Sequence, residues 1–139
     1  PAAFHTVMQN LKDLEITKEQ LEGGWYDKII TGDLGKIGKQ ALADLLRNEG
    51  LEAEGFLMDC GVEIYDNQKQ DTHAGGSGCG CSAAVLCGYI LPRIQQGEWK
   101  RVLFMPTGAL LSTVSFNEGK SVPGIAHGVV LERMDEGRK

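Results

Sequence analysis

The sequence predicts a layered α/β domain with a mostly parallel sheet and one antiparallel strand at its edge. Strand-like apolar runs at residues 25–30, 56–58 and 101–105 alternate with amphipathic helical patterns at 2–14, 35–49 and 81–96. A last strand pattern at 127–133 follows the strand at 101–105, which predicts the antiparallel pair. The 139 residues, 42% of them hydrophobic, suit one domain. We therefore expect a domain over 1–133 and a tail over 134–139.

The helical predictions depend on apolar spacing and on end signals. The pattern at 2–14 has one apolar stripe, and Thr17 with Gln20 forms a capping box that predicts a short helix over 18–22. The helix at 35–49 ends before Gly50, and the one at 81–96 is expected to kink near Pro92. The positions expected to face inward in the helix at 35–49 are Ile37, Ala41, Leu42, Leu45 and Leu46.

The remaining segments are predicted as strands and loops. Ile29 and Ile30 form a continuous apolar run, which is typical of a strand covered on both faces. Residues 62–65 are expected to be irregular and extended, and the polar residues 66–72 to form an exposed loop. A loop rich in Ser, Thr and Gly is expected up to Pro123. Residues of the last strand are expected to alternate between the two faces of the sheet.

Composition excludes several classes of function. The net charge is −5 and the basic residues are scattered, which argues against nucleic-acid binding. The apolar runs are shorter than the ~20 residues of a membrane-spanning helix. The spacings of the four cysteines (Cys60, Cys79, Cys81 and Cys87) fit no zinc framework, so no metal site is predicted and we expect reduced thiols that fill tight spaces.

The glycine-rich stretch at 73–84 is the main candidate for a binding site. Its glycines permit tight backbone conformations, and the helix that follows would point free amides at an anion or a carbonyl oxygen. In parallel sheets, ligands bind outside the carboxyl ends of the strands. The loops at 31–35, 73–84 and 106–123 are therefore expected to meet there.

Each candidate side chain has two interpretations. His73 could bind a carboxylate or merely bond the local backbone. Asp33 could orient a ligand, or it could cap the following helix. Ser112 could line a pocket or be a solvated loop residue, while Cys79 and Cys81 favour packing over reactivity. His127 is expected to be structural.

Four segments carry a resemblance to a known family. They read IITGDLGKIG (29–38), HAGGSGCGCSA (73–83), LFMPTGALLS (103–112) and SVPGIAH (121–127). In this order they closely resemble the stage V sporulation protein AD family, which has a thiolase-like fold. The resemblance implies a thiolase-like half-domain, incomplete at its amino end, that forms the carboxyl-terminal part of a longer protein.

The resemblance also implies a function. The family takes part in moving dipicolinic acid into the developing spore and binds that dicarboxylate, with calcium dipicolinate a further ligand to consider. The implied partners are dipicolinic acid, other stage V sporulation A membrane proteins and a second copy in a thiolase-like homodimer. The implied location is peripheral, on the cytoplasmic side of a spore or forespore membrane. The ligand-binding residues implied are His73, Gly76, Ser77, Gly78, Asp33 and Ser112.

The same resemblance bears on catalysis. The catalytic Asn or His of thiolases falls on Gly32 and Asp33, and the Gly-His-Pro turn falls on Gly76, Ser77 and Gly78. We therefore expect a binding protein without a catalytic residue or cofactor, because condensation needs an activated thiolate and an oxyanion hole. The alternatives are an active thiolase or ketoacyl-synthase-type acyl transferase whose nucleophile lies upstream, and an assembly component that docks membrane proteins.

Overall fold

A computed structural model describes residues 2–66, 68–71, 73, 75, 80–106, 113–120 and 126–134. Its helices are α1 (Ala2–Asp13), α2 (Lys18–Glu22), α3 (Gly35–Asn48), α4 (Cys60–Glu63), α5 (Cys81–Val85), α6 (Leu91–Gln96) and α7 (Thr113–Asn117). Its strands are β1 (Lys28–Thr31), β2 (Leu57–Asp59), β3 (Arg101–Met105) and β4 (Val129–Glu132). A 3-10 turn (Glu54–Phe56) precedes β2.

The four strands form one mixed sheet in the order β2-β1-β3-β4. β1 is parallel to both β2 and β3, and β4 pairs with β3 antiparallel. The predicted sheet, mostly parallel with an antiparallel strand at its edge, is confirmed. Because three neighbouring strands run in the same direction, their carboxyl ends lie along one edge of the sheet.

Alternate strand residues build a hydrophobic cluster on each face of the sheet. Ile29, Leu57 and Leu103 pack with α1 and α3 on one face. Ile30 and Phe104 pack with the helical segment that begins at Cys81 on the other. The prediction that Ile29 and Ile30 belong to a strand covered on both faces is confirmed, since both residues are fully buried.

Several helix ends agree with the end signals of the sequence. Thr17 and Gln20 form the predicted capping box of α2. Gly50 follows the end of α3 with φ +81, and Gly97 follows α6 with φ +83. These left-handed conformations cost glycine little, so they can end a helix sharply.

The segment 81–96 is helical throughout but changes its hydrogen-bonding pattern. A π-helical turn (Leu86–Ile90) separates α5 from α6, and the amide of Leu91 donates to the carbonyl of Leu86. Pro92 follows in the first turn of α6. Because Pro92 has no N–H and its ring crowds the preceding turn, the wider turn accommodates it within a continuous helix. The predicted distortion near Pro92 is therefore this wider turn.

Three local predictions are wrong. The first strand begins at Lys28, because Trp25 and Tyr26 precede the residues paired with β3. Of residues 62–65, predicted to be extended, Val62 and Glu63 belong to the helix α4. In α3, Ile37 is 76% exposed and Ala41 is also exposed, because the buried face is formed by Leu42, Ala43 and Leu46.

Two further boundaries differ from the prediction. The last strand is shorter than 127–133, since β4 covers only Val129–Glu132. The loop expected after β3 contains the short helix α7.

Candidate ligand-binding site

The loops that follow β1 and β2 meet at the carboxyl edge of the sheet. Thr31, the last residue of β1, lies opposite Asp59, the last residue of β2. Beyond the strands, the amide of Gly61 donates a hydrogen bond of 3.0 Å to the carbonyl of Gly32. The register of two parallel strands therefore continues into the loops and holds them together.

The carboxylate of Asp59 is the most constrained polar group at this edge. Asp59 is completely buried. Its Oδ1 accepts hydrogen bonds from the Thr31 hydroxyl at 2.5 Å and from the Leu34 amide at 2.8 Å. Its Oδ2 accepts one from the Gly35 amide at 3.0 Å. A buried carboxylate requires such compensation, and charged hydrogen bonds of this kind are stronger than neutral ones.

Asp59 therefore caps α3 from a neighbouring strand. The residue at the N-cap position of α3 is Leu34, which has no side-chain oxygen with which to cap the helix. The interpretation of Asp33 as the helix cap is wrong, because the capping carboxylate comes from Asp59. A negative charge at a helix amino terminus is favourable there, since it faces the positive end of the helix dipole.

The beginning of the glycine-rich stretch packs directly on these loops. Gly75 has φ +120, and a Cβ atom there would lie 3.0 Å from the carbonyl oxygen of Gly61 and 3.5 Å from the Cα of Gly35. A side chain at this position would therefore press on the backbone of Gly61 and force it to shift. The prediction that the loop at 31–35 meets the glycine-rich stretch is confirmed at Gly75.

Two buried thiols lie beneath the same edge. Cys60 is the first residue of α4 and Cys81 is the first of α5, and both belong to the cluster on one face of the sheet. The Cys81 thiol is placed to donate to the carbonyl oxygen of Gly32, with Sγ 3.8 Å from that oxygen. Cys81 thus contacts the loop that carries Asp33.

Both thiols are disfavoured as nucleophiles. Burial raises the pKa of Cys60 to about 12, and the neighbouring Cys81 and Asp59 add to the rise. Burial also raises the pKa of Cys81, with the negative charges of Asp33 and Asp59 contributing. With raised pKa values, neither thiol is ionised near neutral pH. Because the thiolate is the reactive form, both groups are poor nucleophiles. This supports the packing interpretation of Cys81, whereas Cys79 lies outside the described residues.

The predicted site residues are placed as follows. Asp33 is half-buried in the loop after β1, and its charge acts on the thiol of Cys81. His73 is exposed, with φ +49, and its Nε2 lies 3.3 Å from Oδ1 of Asp71. The positions Gly76, Ser77, Gly78 and Ser112 lie outside the described residues. The structure thus brings Gly75 against the end of the loop that carries Asp33, and ligand binding by the predicted residues stays a prediction.

Asp59 is the residue that sequence reasoning missed. The signal was present, because Asp59 is the first polar residue after a short apolar run predicted to be a strand. In a parallel sheet such a residue lies at the carboxyl edge. The partners of its carboxylate, which lie 24 to 28 residues earlier in the chain, are set by the tertiary fold.

A separate groove lies between α1 and the residues that precede β4, next to the carboxyl end of β3. It has a volume of about 750 Å³ and lies between α1 and residues 126–128, with His5, Lys12 and His127 in its lining. His127 is exposed and precedes β4 rather than starting it. Within the described ranges, no cluster of three or more His, Cys, Asp or Glu side chains is arranged to hold a metal ion.

The fold and the site together define an α/β protein with its candidate site in the loops beyond a mostly parallel sheet. The model of the Stage V sporulation protein AD (SpoVAD) family matches residues 1–132. The Stage V sporulation protein AD of Bacillus subtilis (strain 168) is 41% identical over 133 residues, which cover 96% of this chain and 38% of the relative. The chain belongs to the stage V sporulation protein AD family.

The family resemblance noted in the sequence is therefore confirmed. The chain spans 38% of the length of the curated relative that it matches. None of the described helices has both the length and the apolar character needed to cross a membrane.

Proposed function

We propose that this chain is the carboxyl-terminal part of a protein of spore formation that binds dipicolinic acid without transforming it and takes part in its uptake into the developing spore. Membership of the stage V sporulation protein AD family supports the sporulation role. The observation that carries the binding role is the convergence of Asp33, the Asp59-anchored loop and Gly75 at the carboxyl edge of the sheet.

The proposal of binding without catalysis depends on the chemistry available at this edge. Cys60 and Cys81 are held in the thiol form by burial and by neighbouring negative charge. A thiol that does not ionise cannot attack an acyl group efficiently. These two cysteines are therefore assigned to packing beneath the site.

The charge of the edge sets a condition on the ligand. Dipicolinate is a dianion near neutral pH, and the carboxylate of Asp33 would repel it at short range. The charge of Asp59 is already compensated by its hydrogen bonds to Thr31, Leu34 and Gly35. We therefore propose that Asp33 is bridged to the ligand by calcium or by water.

Calorimetry of the full-length parent protein with dipicolinate, with and without calcium, tests this function. We expect saturable binding. Its absence at millimolar dipicolinate under both conditions would refute the proposal. A calcium bridge predicts that Asp33→Asn weakens the calcium-dependent binding, while Asp44→Asn, the same change on the outer surface of α3, leaves it unaltered.

A second measurement separates binding from acyl transfer. Incubation of the full-length protein with a radiolabelled acyl-CoA should leave no covalent label on the protein. A label that survives denaturation and is released by hydroxylamine would identify a thioester, and would replace the binding proposal with an enzymatic one.

The proposed setting is peripheral. The full-length protein would act as a thiolase-like homodimer at the cytoplasmic side of a spore or forespore membrane, together with other stage V sporulation A membrane proteins. Sedimentation of the parent protein with and without membranes that contain those proteins tests this placement, and an unchanged distribution would contradict it.

A further inference from the structure

We propose that Asp59 is a positioning residue for the candidate site, because its carboxylate holds the loop that carries Asp33 in the conformation that binds the ligand. This inference rests on the proposed function, since it concerns the same site. Asp59 itself is completely buried and acts through the loop rather than by contact with ligand.

The hydrogen bonds of Asp59 join both ends of a short loop. Thr31 precedes the loop and donates to Oδ1 through its hydroxyl group. Leu34 and Gly35 close the loop and donate to Oδ1 and Oδ2 through their amides. A single carboxylate therefore fixes the start and the end of residues 32–34, and Asp33 lies at the centre of that segment.

Other contacts support the same loop from below. The carbonyl of Gly32 accepts from the Gly61 amide and lies near the Cys81 thiol. These bonds hold Gly32, whereas the turn into α3 is held by Asp59 at Leu34 and Gly35. The part of the loop that follows Asp33 is therefore held in place by the carboxylate of Asp59.

The position of Asp59 also restricts where a ligand anion can bind. The amino terminus of a helix is a common anion site, because its amides lack partners and its dipole is positive there. In α3 this place is already taken by a carboxylate of the chain itself. A carboxylate of the ligand must therefore be recognised by groups other than the amides of Leu34 and Gly35.

Asp59→Asn is the discriminating substitution. It preserves the volume of the side chain and one oxygen, which can accept from Thr31 and Leu34. The second oxygen becomes an amide nitrogen, so a donor would face the Gly35 amide instead of an acceptor. The variant should therefore loosen the end of the loop while leaving the hydrophobic clusters intact.

The experiment compares the full-length parent protein, Asp59→Asn and Val7→Ala. Val7 is fully buried in α1, so its truncation lowers stability through packing alone. We expect Asp59→Asn to speed amide hydrogen exchange at Leu34 and Gly35 and to weaken dipicolinate binding, each about tenfold, as the loss of a hydrogen bond to a charged group implies. At a comparable loss in Tm, Val7→Ala should change neither quantity.

The outcomes separate this inference from the proposed function. Unaltered dipicolinate affinity in Asp59→Asn, or an equal loss of affinity in Val7→Ala, would overturn the positioning role while leaving the binding function in place. If the parent protein itself binds no dipicolinate, the proposed function fails. Amide exchange then decides the positioning role: a rise confined to the loop supports it, and unchanged exchange overturns it.

Discussion

The two ends of the parallel strands differ in how they are covered. We call the end where β1 and β3 begin the amino edge, in contrast to the carboxyl edge that holds the candidate site. At the amino edge, large side chains stack on one another, and at the carboxyl edge, backbone segments approach one another closely. Each edge uses an aspartate to satisfy backbone amides, but the two aspartates differ in burial: Asp27 is half-buried and Asp59 is completely buried.

Arginine and aromatic side chains cover the amino edge. The guanidinium of Arg101 lies 4.0 Å from the centre of the Trp25 ring and donates to the carbonyl of Trp25. Arg93 stacks on Tyr89 at 3.7 Å and pairs with Glu98. Such cation–π contacts place large side chains over the ends of the strands, so the protein's own side chains cover this edge.

Glycines and a buried carboxylate organise the carboxyl edge. The backbones of Gly61 and Gly35 lie close to Gly75, and a Cβ there would be only 3.0 Å from the carbonyl oxygen of Gly61. The carboxylate of Asp59 lies below the loop rather than on its surface. Among the residues that the structure describes, the loops at the carboxyl edge are held by backbone contacts and a buried carboxylate, which suits a binding site.

The largest expected effect contrasts the two aspartates. Asp59→Ala leaves the Thr31 hydroxyl and the Leu34 and Gly35 amides without their acceptor in a buried place, and should lower the free energy of unfolding by about 4 kcal/mol. Asp27→Ala removes the acceptor of the Lys100 and Arg101 amides. Because water can replace that acceptor, we expect about 1 kcal/mol there. Urea denaturation measures both, and equal losses would contradict the contrast.

The next effect contrasts two glycines. In Gly75→Ala the new Cβ meets the rigid backbone of Gly61 at 3.0 Å, at a φ of +120. In Gly97→Ala it meets the Arg133 guanidinium, the mobile end of a long side chain, at a φ of +83. We expect losses of about 3 and about 1 kcal/mol respectively in urea denaturation. A larger loss at Gly97 would show that the two edges do not differ in this way.

A third effect concerns pH. The pKa of Cys60 rises from 9.0 to about 12 on burial, so the folded state holds this proton more tightly than the unfolded state. Its contribution to stability is complete below pH 9 and is lost as pH rises towards 12. Between these values the wild-type free energy of unfolding should fall more steeply than that of Cys60→Ala, by up to about 1.4 kcal/mol per pH unit.

Tyr26→Phe is the comparison variant for Cys60→Ala, because Tyr26 is a buried titratable residue that lies just before β1, at the amino edge. Burial raises the pKa of Tyr26, but its bond to Asn10 and the charge of Arg101 oppose the rise. Its removal should therefore alter the alkaline slope less than Cys60→Ala does. Parallel alkaline curves for wild type and Cys60→Ala would disprove the effect of Cys60.

The smallest effect tests the stacking at the amino edge. Arg101→Lys keeps the positive charge but loses the planar group that lies over Trp25, and should cost about 1 kcal/mol in urea denaturation. We expect no change in the affinity for dipicolinate, because this contact lies at the opposite edge from the candidate site. A loss of affinity would mean that the two edges are coupled.

The location of the candidate site was more predictable than its geometry. The glycine-rich stretch and the loop at Asp33 are local signals, and the rule for parallel sheets predicts that they meet. The role of Asp59 was not predictable in the same way, because its three donors come from a separate stretch of chain. For the same reason, the sequence offered Asp33 rather than Asp59 as a candidate cap for α3.

The sequence by itself determined the alternation of helices and strands, the capping box of α2, the glycine ends of two helices and the family. These features depend on neighbouring residues or on long matching segments, so they can be predicted from the sequence alone. Only the tertiary structure decided which face of α3 is buried, which aspartate caps it and how Gly75 meets Gly61. Those outcomes depend on contacts between distant segments, and a one-dimensional pattern does not specify which distant atoms fill a given space.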